Sequence, residues 1–189
     1  MFLATASGAE YKAANRDNKD AEAIARMGSE SRGRVLEAED FARALPVDAR
    51  LLGIDLGTKT LGLALSDVTR TIASGLTTLS RGKFSDDARR LLALAEEHGV
   101  RGFVIGLPVN LNGTEGPRAQ ATRAFARNLG RLTSLPILLW DERLSTAAAE
   151  RSLLEADASR RRRAMVIDKV AATLILQAVL DRLHRFDRA

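Results

Sequence analysis

The sequence predicts an α/β domain in which a mixed sheet is flanked by helices. Three apolar segments, Leu51–Gly57, Thr60–Ser66 and Thr71–Ser80, follow one another across short turns, which is typical of an antiparallel meander. After Ser80 the apolar spacing changes to a helical period, and helices then alternate with apolar strands. The chain has 189 residues, and one domain usually spans about 100–200 residues, so a single domain accounts for it.

Local signals place the elements of the second half. Ser85 is a suitable N-cap for a helix that Gly99 ends, with Asp86 and Asp87 in the first turn, where acids favour the helix dipole. Pro117 fits the first position of another helix. The first two predicted helices, from Ser85 and over Pro117–Leu132, are each followed by a strand, Phe103–Leu107 and Pro136–Trp140. A third helix then runs from Ser145 or Thr146 to Ala156. A basic connector at Ser159–Arg163 leads to the last helix, Met165–Leu183.

The resulting order, β-β-β-α-β-α-β-α-α, predicts a mixed five-stranded sheet with helices on its faces. With the strands ordered 3-2-1-4-5, strand 1 is central and strands 4 and 5 lie on one side of it. This order agrees with the ribonuclease H-like fold.

The N-terminal part differs in composition from the rest. Residues 1–34 contain many small and charged residues and few large apolar ones, which predicts a disordered or poorly ordered tail. Val35–Leu45 has the spacing of a short amphipathic helix that Pro46 ends. We therefore divide the chain into a tail (1–34), a short leading helix with its linker (35–49) and a ribonuclease H-like domain (50–189).

Charge is distributed unevenly along the chain. Lys and Arg number 29 against 24 Asp and Glu, a net charge of +5, and residues 1–50 hold 8 basic and 9 acidic groups. The excess therefore lies in residues 51–189, which fits a nucleic-acid partner and equally a basic protein without one. The absence of Cys excludes disulfides and thiol catalysis. With no apolar run long enough for a membrane span or a signal peptide, we expect a cytoplasmic protein.

Three carboxylates occupy positions where a purely structural acid is unusual. Asp55 lies within an apolar strand, and Glu142 follows the strand Pro136–Trp140 directly after Asp141. Asp168 lies on a largely apolar helix face. In the predicted strand order, Asp55 and Glu142 converge, and the last helix brings Asp168 to the same edge. Each acid taken singly also has a structural explanation, as a turn cap or an ion-pair partner.

Clustered carboxylates without Cys or a His pair favour hard divalent cations, here Mg²⁺ or Mn²⁺. Two such ions can activate a water and stabilise the leaving oxygen of a phosphodiester. Polar and basic residues near the acids are candidates for binding the substrate: Thr58, Lys59, Asn110, Arg118, Arg143, Ser145 and Arg161, with Asn112, Thr114 and the remaining arginines of Arg160–Arg163 beside them. A solvated loop explains the arginine run equally well.

Four segments together resemble one protein family. The segments GIDLGTKTLGLALSD (53–67), IGLPVNLNGTEGPRA (105–119), WDERLST (140–146) and VIDKVAATLIL (166–176) look like the YqgF/RuvX family of Holliday junction resolvase-like nucleases. The resemblance covers residues 50–185. It implies a ribonuclease H-like fold related to the RuvC resolvases and, for bacterial members, a role in maturing the 5′ end of pre-16S rRNA.

The resemblance implies that Asp55, Glu142 and Asp168 are the catalytic acids and bind Mg²⁺ or Mn²⁺. Asp141 is a weaker addition, because side chains alternate along a strand. Strand 4 ends in Gly106-Leu107-Pro108, without the acid that RuvC resolvases carry there. We therefore expect cleavage of precursor rRNA, with ribosomal precursor particles as partners, in preference to branched DNA.

Three alternatives stay open. The same centre can serve a Holliday junction resolvase, or the chain can be a noncatalytic RNA-binding module of ribosome assembly. A nucleotide-binding ATPase is suggested by DLGTKT (55–60), although a second phosphate loop is missing from the sequence. Both a monomer and a homodimer are compatible with the sequence, and no membrane partner is expected.

Overall fold

The computed structural model describes residues 33–144 and 160–186, with the backbone alone for residues 160–166. Its elements in chain order are β1 (Val35–Leu36), α1 (Ala38–Ala44), β2 (Arg50–Leu56), β3 (Thr60–Ser66), β4 (Ala73–Ser80), α2 (Phe84–Glu97), β5 (Val100–Leu107), α3 (Pro117–Gly130), β6 (Ile137–Asp141), a 3-10 helix (Glu142–Leu144) and α4 (Arg160–Phe186). The predicted helix from Ser145 to Ala156 and residues 1–32 of the predicted tail lie outside the described residues.

The strands form one mixed sheet. β2, β3 and β4 make the expected antiparallel meander, and β2, β5 and β6 pair in parallel. The order across the sheet is β1-β6-β5-β2-β3-β4, which confirms the α/β class and the order 3-2-1-4-5 for the five predicted strands. The prediction of five strands was wrong by one, because Val35–Leu36 pair in parallel with Ile137–Leu138 as a sixth, edge strand.

Two helix starts differ from the prediction. The leading helix begins at Ala38 and not at Val35, since the backbone of Val35 and Leu36 is bonded to β6. Helix α2 begins at Phe84 after Lys83, so Ser85 lies inside the helix and caps nothing.

Two further boundaries were also predicted incorrectly. Strand β4 begins at Ala73, because the Asp67 carboxylate accepts the N–H groups of Thr71 and Ile72 and closes a turn there. Arg160–Arg163 are not a connector, since they form the first turn of α4.

Each face of the sheet has its own apolar core. Helices α2 and α3 pack on one face over Leu52, Ile54 and Phe103. Helices α1 and α4 pack on the other face over Leu51 and Val104. Of the helices in the part of the chain that the structure describes, none combines the length and the hydropathy that a membrane span requires.

Candidate functional site

Glycines on the central strands let α4 lie close to the sheet. Gly53 on β2, Gly62 on β3 and Gly106 on β5 all face this helix. A Cβ atom at Gly53 would stand 2.8 Å from the Cβ of Leu176, and one at Gly62 would overlap the carbonyl group of Asp168. Because these positions carry no side chain, the backbone of α4 directly contacts β3 at Asp168.

Asp55 lies between two of these glycines. It pairs with Gly62 across the antiparallel β2–β3 ladder, and the parallel register that joins Ile54 to Ile105 puts Gly106 beside it on β5. Directly paired residues share a face of the sheet, so the Asp55 carboxylate lies on the α4 face with only hydrogen atoms at the adjacent positions. Asp55 is 1% exposed.

Asp168, on α4, lies against the same end of β2 and β3. The Thr60 hydroxyl, at the start of β3, donates a hydrogen bond to Oδ2 of Asp168. The main chain of Asp168 lies against Gly62, which is the pairing partner of Asp55. Asp55 and Asp168 therefore share one face and one end of the central strands.

Glu142 reaches this face from β6. Trp140 packs in the core under α4, Asp141 alternates to the opposite face, and the 3-10 helix then begins at Glu142. Glu142 is 6% exposed, and its Oε1 lies 2.8 Å from the point where a Cβ of Gly106 would stand. Since Gly106 adjoins Asp55 on the side away from β3, Glu142 and Asp168 approach Asp55 from opposite sides.

Asp141 holds the turn that follows β6. Its Oδ1 accepts the backbone N–H of Arg143 at 3.0 Å, and the Arg143 guanidinium bonds both carboxylate oxygens. These bonds lower the pKa of Asp141 below its ordinary value. The guanidinium of Arg143, a predicted substrate ligand, is thus engaged by Asp141 at Nε and Nη2.

The turn between β2 and β3 is anchored by a pair of residues that the sequence did not single out for this role. Arg81 donates from Nη1 to the carbonyl oxygen of Gly57 at 2.9 Å, and its backbone N–H donates to Lys59. The Arg81 guanidinium also pairs with the fully buried carboxylate of Asp87. Thr58 and Lys59 are exposed at the tip of this turn, beside the end of β2 that carries the acids.

The loop between β5 and α3 uses its polar side chains internally. Asn110 donates from Nδ2 to the Thr114 hydroxyl, and Asn112 accepts both the N–H and the hydroxyl of Thr114. Asn110, Asn112 and Thr114 therefore bond to one another and shape the loop, and substrate binding by Asn110 stays a prediction. Arg118 is exposed in the first turn of α3.

Two predicted substrate ligands are not placed by the structure. Ser145 lies outside the described residues, and the side chain of Arg161 lies outside them as well.

The residues that reasoning from sequence missed are Gly53, Gly62 and Gly106. Their signal was present, because a glycine inside a strand often marks the close approach of another backbone. Asp87 was assigned to the dipole of α2, whereas its carboxylate also accepts the N–H of Gly82 and pairs with Arg90.

The acids suit a hard divalent cation in kind, since all three are carboxylates and two are buried. The glycines beside Asp55 leave room for the main chain of Asp168 and for the Glu142 carboxylate, where a Cβ would clash with them. Among the residues whose side chains the structure describes, no three His, Cys, Asp or Glu stand close enough together to hold one ion. Asp55, Glu142 and Asp168 thus share a face and an end of the sheet without being gathered at a single point.

Named relatives are similar to this chain over most of its length. A relative from Rhodobacter capsulatus named "Putative pre-16S rRNA nuclease" is 60% identical over 151 residues, which cover 80% of this chain and 95% of the relative. One of the same name from Rhodopseudomonas palustris is 62% identical over 144 residues, 76% of this chain and 90% of that one.

Solved structures align more weakly. Thermus thermophilus RuvC in complex with a Holliday junction substrate aligns with a TM-score of 0.45 and 13% identity over 71% of this chain and 95% of RuvC. By sequence, residues 49–182 match the family model described as "RuvX: Holliday junction resolvase". This span includes Asp55, Glu142 and Asp168, and the chain belongs to the RuvX family.

Proposed function

We propose that the chain is a Mg²⁺- or Mn²⁺-dependent endonuclease that cleaves phosphodiester bonds in the maturation of the 5′ end of pre-16S rRNA. The observation that carries this proposal is the placement of Asp55, Glu142 and Asp168 on one face and at one end of the central strands. Relatives about 60% identical carry that RNA in their name, which favours RNA as the substrate.

Asp55, Glu142 and Asp168 are the residues that would hold the ions. Bound divalent ions supply an activated water and stabilise the leaving oxygen of the phosphodiester. Thr60 orients the Asp168 carboxylate through its hydroxyl, and the Asp141–Arg143 pair fixes the turn that delivers Glu142.

Positive and polar groups are exposed at the same end of the sheet as these acids. Lys59 and Thr58 are exposed on a turn that Arg81 anchors, so they offer a cation and a hydroxyl at a fixed place. Arg118 offers a second exposed cation beyond β5. Contacts of this kind position the substrate backbone without reading its sequence.

The direct test is cleavage by the purified full chain. The substrates are an end-labelled RNA with the 5′ leader of pre-16S rRNA and a four-way DNA junction, each with Mg²⁺, Mn²⁺ or a chelator. We expect metal-dependent cleavage of the RNA, with Asp55→Asn slower by about 1,000-fold because several kcal/mol of transition-state stabilisation are lost. The exposed Asp48→Asn is the control and should cleave at the wild-type rate. Full activity of Asp55→Asn would overturn the assignment.

A second measurement tests the ions without cleavage. Mn²⁺ should raise the melting temperature of the wild-type chain, since a ligand that binds only the folded state stabilises it. The Asp55→Asn/Asp168→Asn variant should show no such rise. Binding of the RNA without either cleavage or a Mn²⁺-dependent rise would favour the noncatalytic RNA-binding module.

Cleavage of branched DNA is the second candidate, because the matching family model is described as a Holliday junction resolvase. Symmetric nicking of the four-way junction, with the RNA left intact, would favour it.

A further inference from the structure

The end of β4 lies beside the residue that holds Asp168. Ser80, the last residue of β4, pairs directly with Thr60 across the antiparallel β3–β4 ladder. Directly paired residues share a face of the sheet, and their Cβ atoms lie about 5 Å apart. The Thr60 hydroxyl donates to the Asp168 carboxylate, and Ser80 is exposed. A solvent-facing hydroxyl therefore stands close to Asp168, on the face of the sheet that carries Asp55.

Hydrogen bonds fix the backbone around Ser80. The Arg90 guanidinium donates from Nη2 to the carbonyl oxygen of Ser80 at 2.8 Å. The backbone N–H of Arg81 donates to the carbonyl oxygen of Lys59 at 2.8 Å, which ties the end of β4 to the turn between β2 and β3. The side chains of Ser80 and Lys59 thus project from fixed points of the backbone.

This side of the acids carries positive charge that is not compensated. Residues 80–90 contain four basic and two acidic side chains. Lys59 and Lys83 are both exposed, and neither forms an ion pair with a residue that the structure describes. The Ser80 hydroxyl also has no hydrogen-bond partner among those residues. Lys83 follows Ser80 so closely in the chain that at most about 11 Å separates their Cα atoms. We call Lys59, Ser80 and Lys83 the basic rim.

The opposite side of the acids, beyond β5 and β6, is closer to neutral. The Arg143 guanidinium is bound to Asp141, and that of Arg123 is bound to Glu115. The loop that follows β5 has neither Lys nor Arg as far as Glu115, and Arg118 is an exposed cation beyond it. Within the part of the chain that the structure describes, the β3–β4 side therefore attracts a polyanion more strongly.

We propose that the basic rim binds backbone phosphates of the RNA on one side of the scissile phosphate, so that the strand leaves the acids across β3 and β4. This inference rests on the proposed nuclease function. A serine hydroxyl donates a hydrogen bond to a phosphate oxygen, and lysines neutralise the charge of neighbouring phosphates. Because the backbone of the rim is fixed, these contacts position the strand relative to Asp168 without reading its bases.

The salt dependence of binding tests the contact. RNA with the 5′ leader of pre-16S rRNA is titrated at several KCl concentrations with the Asp55→Asn chain, in which cleavage is suppressed. We expect Lys83→Gln to weaken binding about fivefold and to reduce the slope of log K against log [salt] by about 0.7, the value for one phosphate contact on a single strand. Arg101→Gln is the matched control, because it removes the same charge from an exposed residue near the amino end of β5, the opposite end of the sheet from the acids. Ser80→Ala should weaken binding about threefold, and Ser80→Thr, which keeps a hydroxyl, should not.

A cross-link tests the direction of the strand. The chain contains no Cys, so Ser80→Cys in the Asp55→Asn background provides a single attachment point for a photoactivated aryl azide. We expect cross-links to nucleotides on only one side of the cleavage site mapped with the wild-type chain. Val47→Cys should give none, because Val47 is 84% exposed and precedes the amino end of β2.

Several outcomes overturn the proposal. It fails if the RNA does not bind, if Lys83→Gln leaves the slope unchanged, or if Arg101→Gln reduces the slope as much. It also fails if position 80 cross-links nucleotides on both sides of the cleavage site or none at all. Binding that depends on Lys83 and Ser80, without any cleavage by the wild-type chain, leaves the rim standing as an RNA contact and refutes the nuclease function.

Discussion

The two faces of the sheet differ although the same strands build both. Toward α2 and α3, strand β2 presents Leu52 and Ile54, which pack in a continuous apolar core. Toward α4, the intervening positions are Gly53 and Asp55. Large side chains keep a helix at the usual distance from a sheet, whereas glycines admit the backbone of α4. The first face is therefore packed with large apolar side chains along β2, whereas the second gives up packing volume at Gly53 and carries the Asp55 carboxylate.

The largest expected effect comes from filling one of these glycines. Gly62→Ala places a Cβ against the main chain of Asp168, which cannot yield as a flexible side chain can. We expect a loss of about 3 kcal/mol in the free energy of unfolding, measured by urea denaturation. At Gly82 the nearest atom to a new Cβ is 3.9 Å away, so Gly82→Ala should change stability by less than about 0.5 kcal/mol. Equal effects at the two glycines would contradict the close approach of α4.

Two buried aspartates should respond in opposite ways to the loss of charge. The Asp87 carboxylate accepts the N–H of Gly82 and pairs with Arg81 and Arg90. Asp87→Asn should lower the free energy of unfolding by about 2 kcal/mol, since it breaks a buried charged pair. Asp55→Asn should leave the melting temperature unchanged or raise it, because a carboxylate that serves chemistry is costly to bury. Thermal melts of both variants test this prediction. A large fall in the melting temperature of Asp55→Asn would show that Asp55 serves the stability of the fold.

A smaller effect is expected at Asp141, the last residue of β6, where the side chains of Asp141 and Glu142 lie on different faces of the sheet. Asp141→Ala removes the acceptor for the backbone N–H of Arg143 and the partner of its guanidinium. Loss of such a cap costs about 1 kcal/mol. If Asp141 positions Glu142, kcat should fall more than KM rises, and Asp141→Asn, which keeps an acceptor oxygen, should restore part of kcat. Equal kcat values for the wild type, Asp141→Ala and Asp141→Asn would show that Asp141 contributes only to stability.

The smallest effect is a pH dependence remote from the acids. Hydrogen bonds from Ile72, Thr69 and Thr71 lower the pKa of Asp67 to about 2. A carboxyl whose pKa is lowered in the folded state stabilises the fold above its unfolded pKa of about 3.9, and this contribution is lost as the pH falls toward 2. Because Asp67 is largely solvated, we expect about 1 kcal/mol or less. Urea unfolding between pH 2 and 5 should show a flatter profile for Asp67→Asn, and an unchanged slope would contradict the prediction.

Much of the fold follows from patterns that are local in the chain. The strand Thr60–Ser66 was predicted at its observed bounds, and Pro117 begins its helix as expected. The predictions failed where a distant partner decides, as when β6 pairs with Val35–Leu36 and makes them a strand. Ser85 failed as a cap because α2 begins one residue earlier.

For the site, sequence alone determined which residues are chemically unusual and that Asp141 and Glu142 should point to different sides of their strand. An acid in an apolar strand is conspicuous wherever that strand lies, and alternation separates Asp141 from Glu142. Only the tertiary structure decided that Gly62 and Gly106 flank Asp55, that Thr60 holds Asp168, and that Arg81 and Asp87 anchor the turn beside them. The physical reason is that local sequence limits backbone conformation and side-chain direction, whereas contacts between residues far apart in the chain depend on strand register and on how closely a helix can pack.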